Sequence, residues 1–253
     1  MCVTRTTLRR LLESALLVGC FLAGSVAVPA RAAEAGAKAP ADPNAPGLSA
    51  SDRVHALLAR IQFEQGQMHT LQADFRMMQQ NELLADVEES SGEFFYQAPD
   101  QVRWEYATPH PLSVLIRGRE MTTWYRDLDR AEKAVVGRYS DRVIKYLNAT
   151  NSIESLLEYF SARVVFSAGT EPYLIELQPR YSRIAKRMQS MSLWIDRQAY
   201  LPVSIRFVAA DGDVTELHFS DLKVNQPIPE QRFELELPPG VKVSTTELDR
   251  GAE

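Results

Sequence analysis

Residues 91–111 read SGEFFYQAPDQVRWEYATPHP, and this stretch predicts two β-strands joined by a tight turn. In the second strand, Val102, Trp104 and Tyr106 alternate with polar residues, which is the period of two that a pleated strand imposes. Between the strands, Pro99 sets its own backbone angle and disfavours a helical residue before it, so the chain reverses there. The hairpin therefore has one apolar, aromatic face and one charged face that we expect to be exposed to water.

The same stretch carries a family resemblance. Gly-x-Phe at 92–94 is followed by Pro-Asp-x-x-Arg-Trp-Glu-Tyr at 99–106 and by Pro109. This pattern resembles the signature of the bacterial outer-membrane lipoprotein carrier family, LolA. The likeness continues from Gln-Ala-Asp-Phe at 72–75 to Phe-x-Leu-x-Leu-Pro-Pro-Gly-Val at 233–241, so it covers most of the chain after its first residues.

The resemblance implies an unclosed barrel covered by a helical lid, with a cavity between them for the acyl chains of a lipoprotein. It also implies a periplasmic carrier, or chaperone, that moves lipoproteins from the inner to the outer membrane. The implied partners are acylated lipoproteins as cargo, an inner-membrane lipoprotein-releasing ABC transporter and an outer-membrane lipoprotein receptor. One position departs from the family pattern, because Ala98 stands where well-known members have an arginine that helps to hold the lid closed.

Residues 1–32 have the layout of a secretory signal peptide. Three arginines precede the apolar run 15–28, and Ala-Arg-Ala at 30–32 is a small-residue cleavage site. We expect export to the periplasm and cleavage after Ala32. A membrane anchor is the alternative, but a membrane-spanning helix needs roughly 20 apolar residues, more than this run supplies.

A second alternative is processing as a lipoprotein. Leu-Val-Gly-Cys at 17–20 matches a lipoprotein-processing box, which would leave Cys20 lipidated at the new N-terminus. Against it, residues 21–28 remain apolar and Glu13 interrupts the apolar stretch before the box. Cleavage after Ala32 instead removes both cysteines, which excludes disulfides, thiol catalysis and cysteine-ligated metals.

The charge of the chain limits its partners. The full sequence has a net charge of −5, and the signal carries a net +3, so the mature chain has a net charge of −8. Nucleic acids and anionic membrane surfaces both need a positive footprint, so we expect neither as a general partner. The basic run at 180–187 is either a solvated loop or a docking patch for an acidic partner.

The remaining sequence predicts one domain with flexible flanks. Residues 33–48 are rich in Ala, Pro and Gly and predict a flexible tether, and residues 246–253 predict a flexible tail. The domain between them spans 49–245 and is long enough for its own core. From Ser51 the apolar residues recur with a period of 3.6, which predicts an amphipathic helix that stops at Gly66.

Alternating apolar residues predict about eleven strands in sequential order, the last at 233–237, with a polar connection at 82–89. Two helices interrupt them. The first carries Val143, Ile144 and Leu147, and the second begins at a capping box formed by Asn151 and Glu154. The pattern predicts a mainly β fold of the α+β type: an unclosed antiparallel β-barrel with a helical lid over its concave face.

The candidate lipid-binding residues lie on the aromatic face of the hairpin and on the apolar stripe of the second helix. One interpretation of the aromatic face is a permanently packed core, and the other is the lining of a ligand cavity, which the resemblance favours. The candidates are Phe94, Tyr96, Val102, Trp104, Tyr106, Ile153, Leu156, Leu157 and Phe160.

No catalytic motif points to an enzyme. The sequence has no Gly-x-Ser-x-Gly elbow, no phosphate-binding Gly-rich loop and no His-Glu-x-x-His helix, and its four histidines lack metal-ligand spacing. We therefore expect a monomeric binding protein without cofactor or metal. Two alternatives to a lipoprotein carrier remain: a periplasmic carrier of other lipids or glycolipids, and a half-barrel regulatory sensor that binds a partner protein.

We predict that the exported protein begins directly after Ala32, because the apolar run is short and a small-residue cleavage site follows it. N-terminal sequencing of the periplasmic protein checks this expectation. A mature chain that starts at a lipidated Cys20 would show that the lipoprotein box is the signal that is read.

Overall fold

The structure is a computed structural model that describes residues 39–82, 87–135, 157–167 and 169–247. The predicted signal peptide lies outside the described residues, and so does the predicted helix with Val143, Ile144 and Leu147. Two of the candidate lid residues, Ile153 and Leu156, also lie outside them. Among the described residues, no helix has both the length and the apolar character needed to cross a membrane.

One sheet of 12 strands organises the described chain. Two α-helices lie wholly within the described residues: α1, Ala50–Gln67, and the short α2, Ser182–Ala185. Described 3₁₀ turns lie at Arg126–Leu128 and Glu230–Phe233. The strands are β1 Thr70–Gln80, β2 Val87–Gln97, β3 Gln101–Thr108, β4 Leu112–Arg117, β5 Glu120–Tyr125, β6 Arg130–Val135, β7 Phe160–Val165, β8 Tyr173–Pro179, β9 Met188–Ile195, β10 Pro202–Ala209, β11 Val214–Val224 and β12 Lys242–Glu247.

The strand order is β12-β6-β5-β4-β3-β2-β1-β11-β10-β9-β8-β7. Neighbours are antiparallel except that β12 runs parallel to β6. The two outer strands, β12 and β7, do not pair with each other among the described residues, so the sheet is not closed. The prediction of a mainly β, unclosed barrel is therefore confirmed, with one strand more than the expected eleven.

The predicted strand at 233–237 is wrong. Glu230–Phe233 is a 3₁₀ turn, and the chain after it is extended without pairing in the sheet. Its backbone is bonded by a side chain instead, because the Arg103 guanidinium donates to the carbonyl oxygens of Arg232 and Glu234, each at 2.9 Å. The final strand, β12, was missed because its sequence KVSTTE is polar and lacks an apolar alternation.

Two other predicted boundaries move. Phe160 begins strand β7 and is not a helix residue, although residues 157–159 before it are helical. Its backbone is held in the sheet by pairing with Pro179, and its carbonyl accepts a 2.8 Å bond from Arg180 Nε. The polar connection predicted at 82–89 ends earlier, since β2 already begins at Val87 and pairs with β1 along its length.

Helix α1 begins at a capping box. The Asp52 amide donates to Ser49 Oγ at 3.2 Å, and the Ser49 amide donates to Asp52 Oδ2 at 3.3 Å. The helix continues through Gly66 and ends at Gln67. Its buried residues are Leu57, Leu58 and Ile61, which is the apolar stripe that the sequence predicts.

Part of the segment predicted as a tether contacts the domain just before α1. Pro43 is buried, and its carbonyl oxygen accepts a 3.1 Å bond from Arg53 Nε. The side chain of Asn44 donates to the hydroxyl of Tyr173 in β8. These contacts fasten the start of the helix to the β8 side of the sheet.

Gly92 is required by a close approach of β2 to β3. A Cβ atom at this position would lie 1.9 Å from the carbonyl oxygen of Glu105. In the register, Gly92 stands between Phe75 of β1 and Tyr106 of β3. Because Gly92 has no side chain, the rings of Phe75 and Tyr106 meet across it, with centroids 4.9 Å apart.

We predict that Gly92→Ala destabilises the domain by about 2–3 kcal/mol, because the new methyl group forces backbone apart in a packed sheet. The free energy of unfolding in urea checks this. Gly66→Ala is the matched control, since nothing lies within 4 Å of its added Cβ and alanine favours a helix over glycine. Equal stabilities of the two variants would contradict the close approach at Gly92.

Candidate functional site

The sheet-side candidate residues lie together on one face, here called the inner face, which also packs against α1. Phe94 is directly opposite Trp104, and Tyr96 is directly opposite Val102. Phe94, Tyr96 and Trp104 are 0% exposed, and Val102 and Tyr106 are each 2% exposed. All five belong to one apolar cluster with Leu57, Leu58 and Ile61 of α1. The alternation in the sequence therefore assigned the apolar face correctly.

Aromatic rings from four strands meet around Trp104. Its ring centroid is 4.7 Å from that of Phe94 and 4.9 Å from that of Phe75, in tilted and edge-on arrangements. Phe219 of β11 lies 6.0 Å from Trp104 and 5.7 Å from Phe94. Such ring pairs stabilise a fold by more than the burial of their apolar area alone. These contacts join β1, β2, β3 and β11 into one aromatic surface.

Phe75 and Phe219 were not among the candidate residues from the sequence. Each lies in a strand whose apolar residues alternate, with Met77 beside Phe75 and Leu217 beside Phe219. That signal predicts a buried face but does not tell which strands become neighbours. Because β1 pairs with β11, the pairing places Phe75 directly opposite Phe219.

The lid-side candidates are only partly brought to this site. Phe160 is 4% exposed and belongs to the same cluster, and Leu157 is partly buried against it. Helix α1 lies over another part of the inner face. Its Arg53 guanidinium lies 4.0 Å from the ring centroid of Phe166, and Arg60 lies 5.0 Å from that of Tyr200, so α1 lies over the β7 to β10 half of the sheet.

Three buried polar atoms of the inner face have no hydrogen-bond partner within the described part of the chain. They are Trp104 Nε1, the Tyr106 hydroxyl and the hydroxyl of Thr123, which shares the face through the register of β3, β4 and β5. Burial raises the pKa of Tyr106, so the phenol stays protonated and remains a donor. A buried donor without a hydrogen-bond partner costs about 1–3 kcal/mol of folding free energy. The inner face therefore carries hydrogen-bond donors that its own packing does not satisfy.

The opposite face of the hairpin is not simply exposed to water, so that prediction is wrong for Arg103 and Glu105, whose side chains are 12% and 19% exposed. Arg103 Nε donates to Glu105 Oε2 at 2.9 Å, and Ser113 Oγ donates to the same oxygen at 2.8 Å. Arg126 also contacts the Glu105 carboxylate. The 225–241 segment covers this network, and its Phe233 packs against Phe95 and Leu115.

The turn that departs from the family pattern is part of the core boundary. Ala98 is half-buried and packs against the inner-face cluster. Its amide donates a 2.8 Å bond to the carbonyl oxygen of His69, two residues after the end of α1. The turn before β3 is thereby tied to the C-terminal end of the helix by backbone atoms.

For metals, no cluster of three or more His, Cys, Asp or Glu side chains occurs in residues 39–82, 87–135, 157–167 and 169–247.

This fold and this buried apolar face define a class, the unclosed β-barrels with a helix-covered inner surface. A family model described as "Outer membrane lipoprotein carrier protein LolA" matches residues 66–236, and the chain belongs to that family. The resemblance seen in the hairpin motif is thus confirmed.

Known relatives agree with this assignment. The outer-membrane lipoprotein carrier protein of Halorhodospira halophila is 27% identical over 188 residues, covering 73% of this chain and 83% of the relative. That of Methylococcus capsulatus is 28% identical over 176 residues, covering 69% and 80%. In fold alone, the chain resembles the crystal structure of an uncharacterized conserved protein from Thermus thermophilus, with 13% identity, coverage of 76% and 99%, and a TM-score of 0.50.

We predict that Arg103→Ala destabilises the domain by about 2–3 kcal/mol, because the carbonyl groups of Arg232 and Glu234 and the Glu105 carboxylate all lose a charged donor. Hydrogen exchange of residues 230–241 should rise in the same variant. Arg163→Ala is the matched control, since the Arg163 side chain is 79% exposed and its ion pair with Glu176 is open to water. Unchanged exchange in Arg103→Ala would contradict the role of Arg103 in holding this segment.

Proposed function

We propose that the protein is a periplasmic carrier that shelters the acyl chains of lipoproteins and moves them from the inner to the outer membrane. One observation carries the proposal beyond family membership: the inner face is a continuous, buried aromatic surface around Trp104, in one apolar cluster with residues of helix α1. Such a surface offers acyl chains an apolar environment once the cover moves away.

The energetics of acyl chains require such a shelter. Each methylene group removed from water contributes about 0.8 kcal/mol, so a protein with several acyl chains does not cross an aqueous compartment with the chains exposed. Aromatic and aliphatic side chains of the inner face can replace water around these chains. No chemical step is part of the proposal, because binding, covering and release are sufficient.

Release follows from the way the face is filled without cargo. Phe94, Tyr96 and Trp104 are already fully buried by neighbouring strands and by the cluster that includes α1. Binding therefore exchanges contacts within the protein for contacts with the acyl chains, and the net gain is smaller than the transfer of the chains from water. A carrier with this balance can pass its cargo to a receptor that binds the chains more tightly.

Two partners complete the proposed cycle. An inner-membrane lipoprotein-releasing ABC transporter loads the cargo and supplies the energy, and an outer-membrane lipoprotein receptor takes it over. The local basic residues at the β8–β9 connection, Arg183 and Lys186, are exposed and offer an acidic partner a docking surface.

A photoreactive phenylalanine analogue at position 104 tests the function in cells. After irradiation, mass spectrometry of the purified periplasmic protein identifies the crosslinked molecule. We expect lipoproteins with their acyl chains. Crosslinks to free glycolipid would instead support a carrier of other lipids, and a crosslink to one soluble protein would support a regulatory sensor.

We predict that Val102→Glu strongly lowers the yield of these lipoprotein crosslinks, because it places a charge on the inner face. Gln101→Glu adds the same charge to the neighbouring residue, which points to the opposite face of β3 and is half-buried, so it should leave the yield near that of the parent. Thermal unfolding of both variants controls for lost stability. Equal loss in two folded variants would count against binding on the inner face.

A further inference from the structure

A pocket remains open at one end of the inner face. The strand directions place the β3–β4 turn at 109–111 and the 3₁₀ turn Arg126–Leu128 at this end, opposite the turn at Pro99. The pocket lies between these two turns and is lined by both of them and by inner-face residues of β2 to β5. We refer to it as the Pro109-end pocket.

Three neighbouring side chains form the floor of the Pro109-end pocket. Tyr106, Leu112 and Tyr125 are directly opposite one another in β3, β4 and β5. They are 2%, 4% and 5% exposed, respectively. Leu128, at the rim, is 52% exposed and extends the apolar wall towards solvent. The pocket therefore presents a preformed apolar surface to a hydrocarbon chain.

The floor is continuous with the aromatic surface of the proposed carrier site. The Tyr106 ring is 4.9 Å from the Phe75 ring and is stacked on Trp104 at 6.3 Å between centroids. Around Trp104 the inner face is filled by protein, whereas beyond Tyr106 it borders the pocket. The Pro109-end pocket thus adjoins the buried aromatic surface through the Tyr106 ring.

The Tyr106 hydroxyl gives the pocket a polar preference. It is buried and has no acceptor among the residues that the structure describes. A phenol hydroxyl is a donor, so the group that completes it is a ligand oxygen with a lone pair. An ester or amide carbonyl is such an acceptor and is compatible with the apolar floor.

The rim argues for an uncharged ligand. His110 Nδ1 lies 3.5 Å from Asp127 Oδ2, and both side chains are about half exposed. The Asp127 carboxylate would repel a free fatty-acid carboxylate at this position. Among the described residues that line the pocket, neither Lys nor Arg is present to compensate for an anion. A neutral acyl ester meets none of this repulsion.

We propose that the Pro109-end pocket is a binding subsite for the carbonyl end of a neutral, ester-linked acyl chain. The Tyr106 hydroxyl donates to the carbonyl oxygen, and the first methylene groups lie on Leu112 and Tyr125. This inference rests on the proposed function, since it names the part of an acylated cargo that this end of the carrier recognises.

Two glycerol lipids with the same chain length test the proposal. Monolaurin carries its chain through an ester, and dodecylglycerol carries it through an ether, in which a methylene group replaces the carbonyl. Binding of each to the full mature protein is measured by calorimetry below the critical micelle concentration. We expect the ester to bind about five-fold more tightly, which is the range of one neutral hydrogen bond. Tyr106→Phe should remove this preference and keep the affinity for the ether.

Thr123→Val is the matched control variant. Thr123 is also fully buried with an unpartnered hydroxyl in the described part of the chain, but it does not line the pocket. Its ester preference should equal that of the parent. The melting temperature gives a second readout, because removing the Tyr106 hydroxyl should not lower the melting temperature when that hydroxyl has no partner in the protein.

The proposal is overturned if the parent protein binds ester and ether equally, if Tyr106→Phe keeps the preference, or if it lowers the melting temperature. These outcomes are separate from a failure of the carrier function. Binding of a triacylated lipopeptide to the parent and to Tyr106→Phe decides that point independently. Strong lipopeptide binding without an ester preference would refute the subsite alone, whereas absence of lipopeptide binding would refute the carrier.

Discussion

The burial of Trp104 is the contact on which the rest of the structure depends. Rings from β1, β2 and β11 surround it, and Gly92 leaves the gap across which Phe75 and Tyr106 meet. A sheet face of this apolar area is unstable in water, so another element has to cover it. Helix α1 covers the β7 to β10 half of that face with a single apolar stripe, and the chain is fastened at both ends of the helix by contacts that do not involve Trp104.

The same hairpin holds a second layer on its other face. Arg103, which alternates with Val102 and Trp104, donates to the backbone of the 225–241 segment. The Glu105 carboxylate accepts a hydrogen bond from Ser113 and forms an ion pair with Arg126. A charged pair buried in this way is stabilising only while every member keeps its partners. The hairpin motif therefore couples the inner aromatic surface to the C-terminal part of the chain through Trp104 and Arg103, which are adjacent residues of β3.

This arrangement suits a protein that has to cover its own apolar surface and still exchange it. The region around Trp104 is filled by contacts within the protein, while the Pro109-end pocket lies beyond Tyr106. The two regions share the Tyr106 ring. A ligand in the Pro109-end pocket would thus touch the edge of the aromatic cluster, which gives the two regions a direct physical connection.

The sequence by itself determined the hairpin, its apolar face and most strands, because alternation with a period of two is a local property of the chain. It also determined helix α1 through the apolar stripe of Leu57, Leu58 and Ile61. The motif was sufficient to identify the family.

Only the tertiary structure decided which strands are neighbours, and with that the place of Phe75 and Phe219 beside Trp104. It also decided that Phe233 ends a 3₁₀ turn, because the Arg103 guanidinium bonds the backbone there in place of a neighbouring strand. The sequence likewise did not predict the parallel strand β12 or the pocket beyond Tyr106. Each of these features depends on contacts between residues far apart in the chain, and local periodicity carries no information about such contacts.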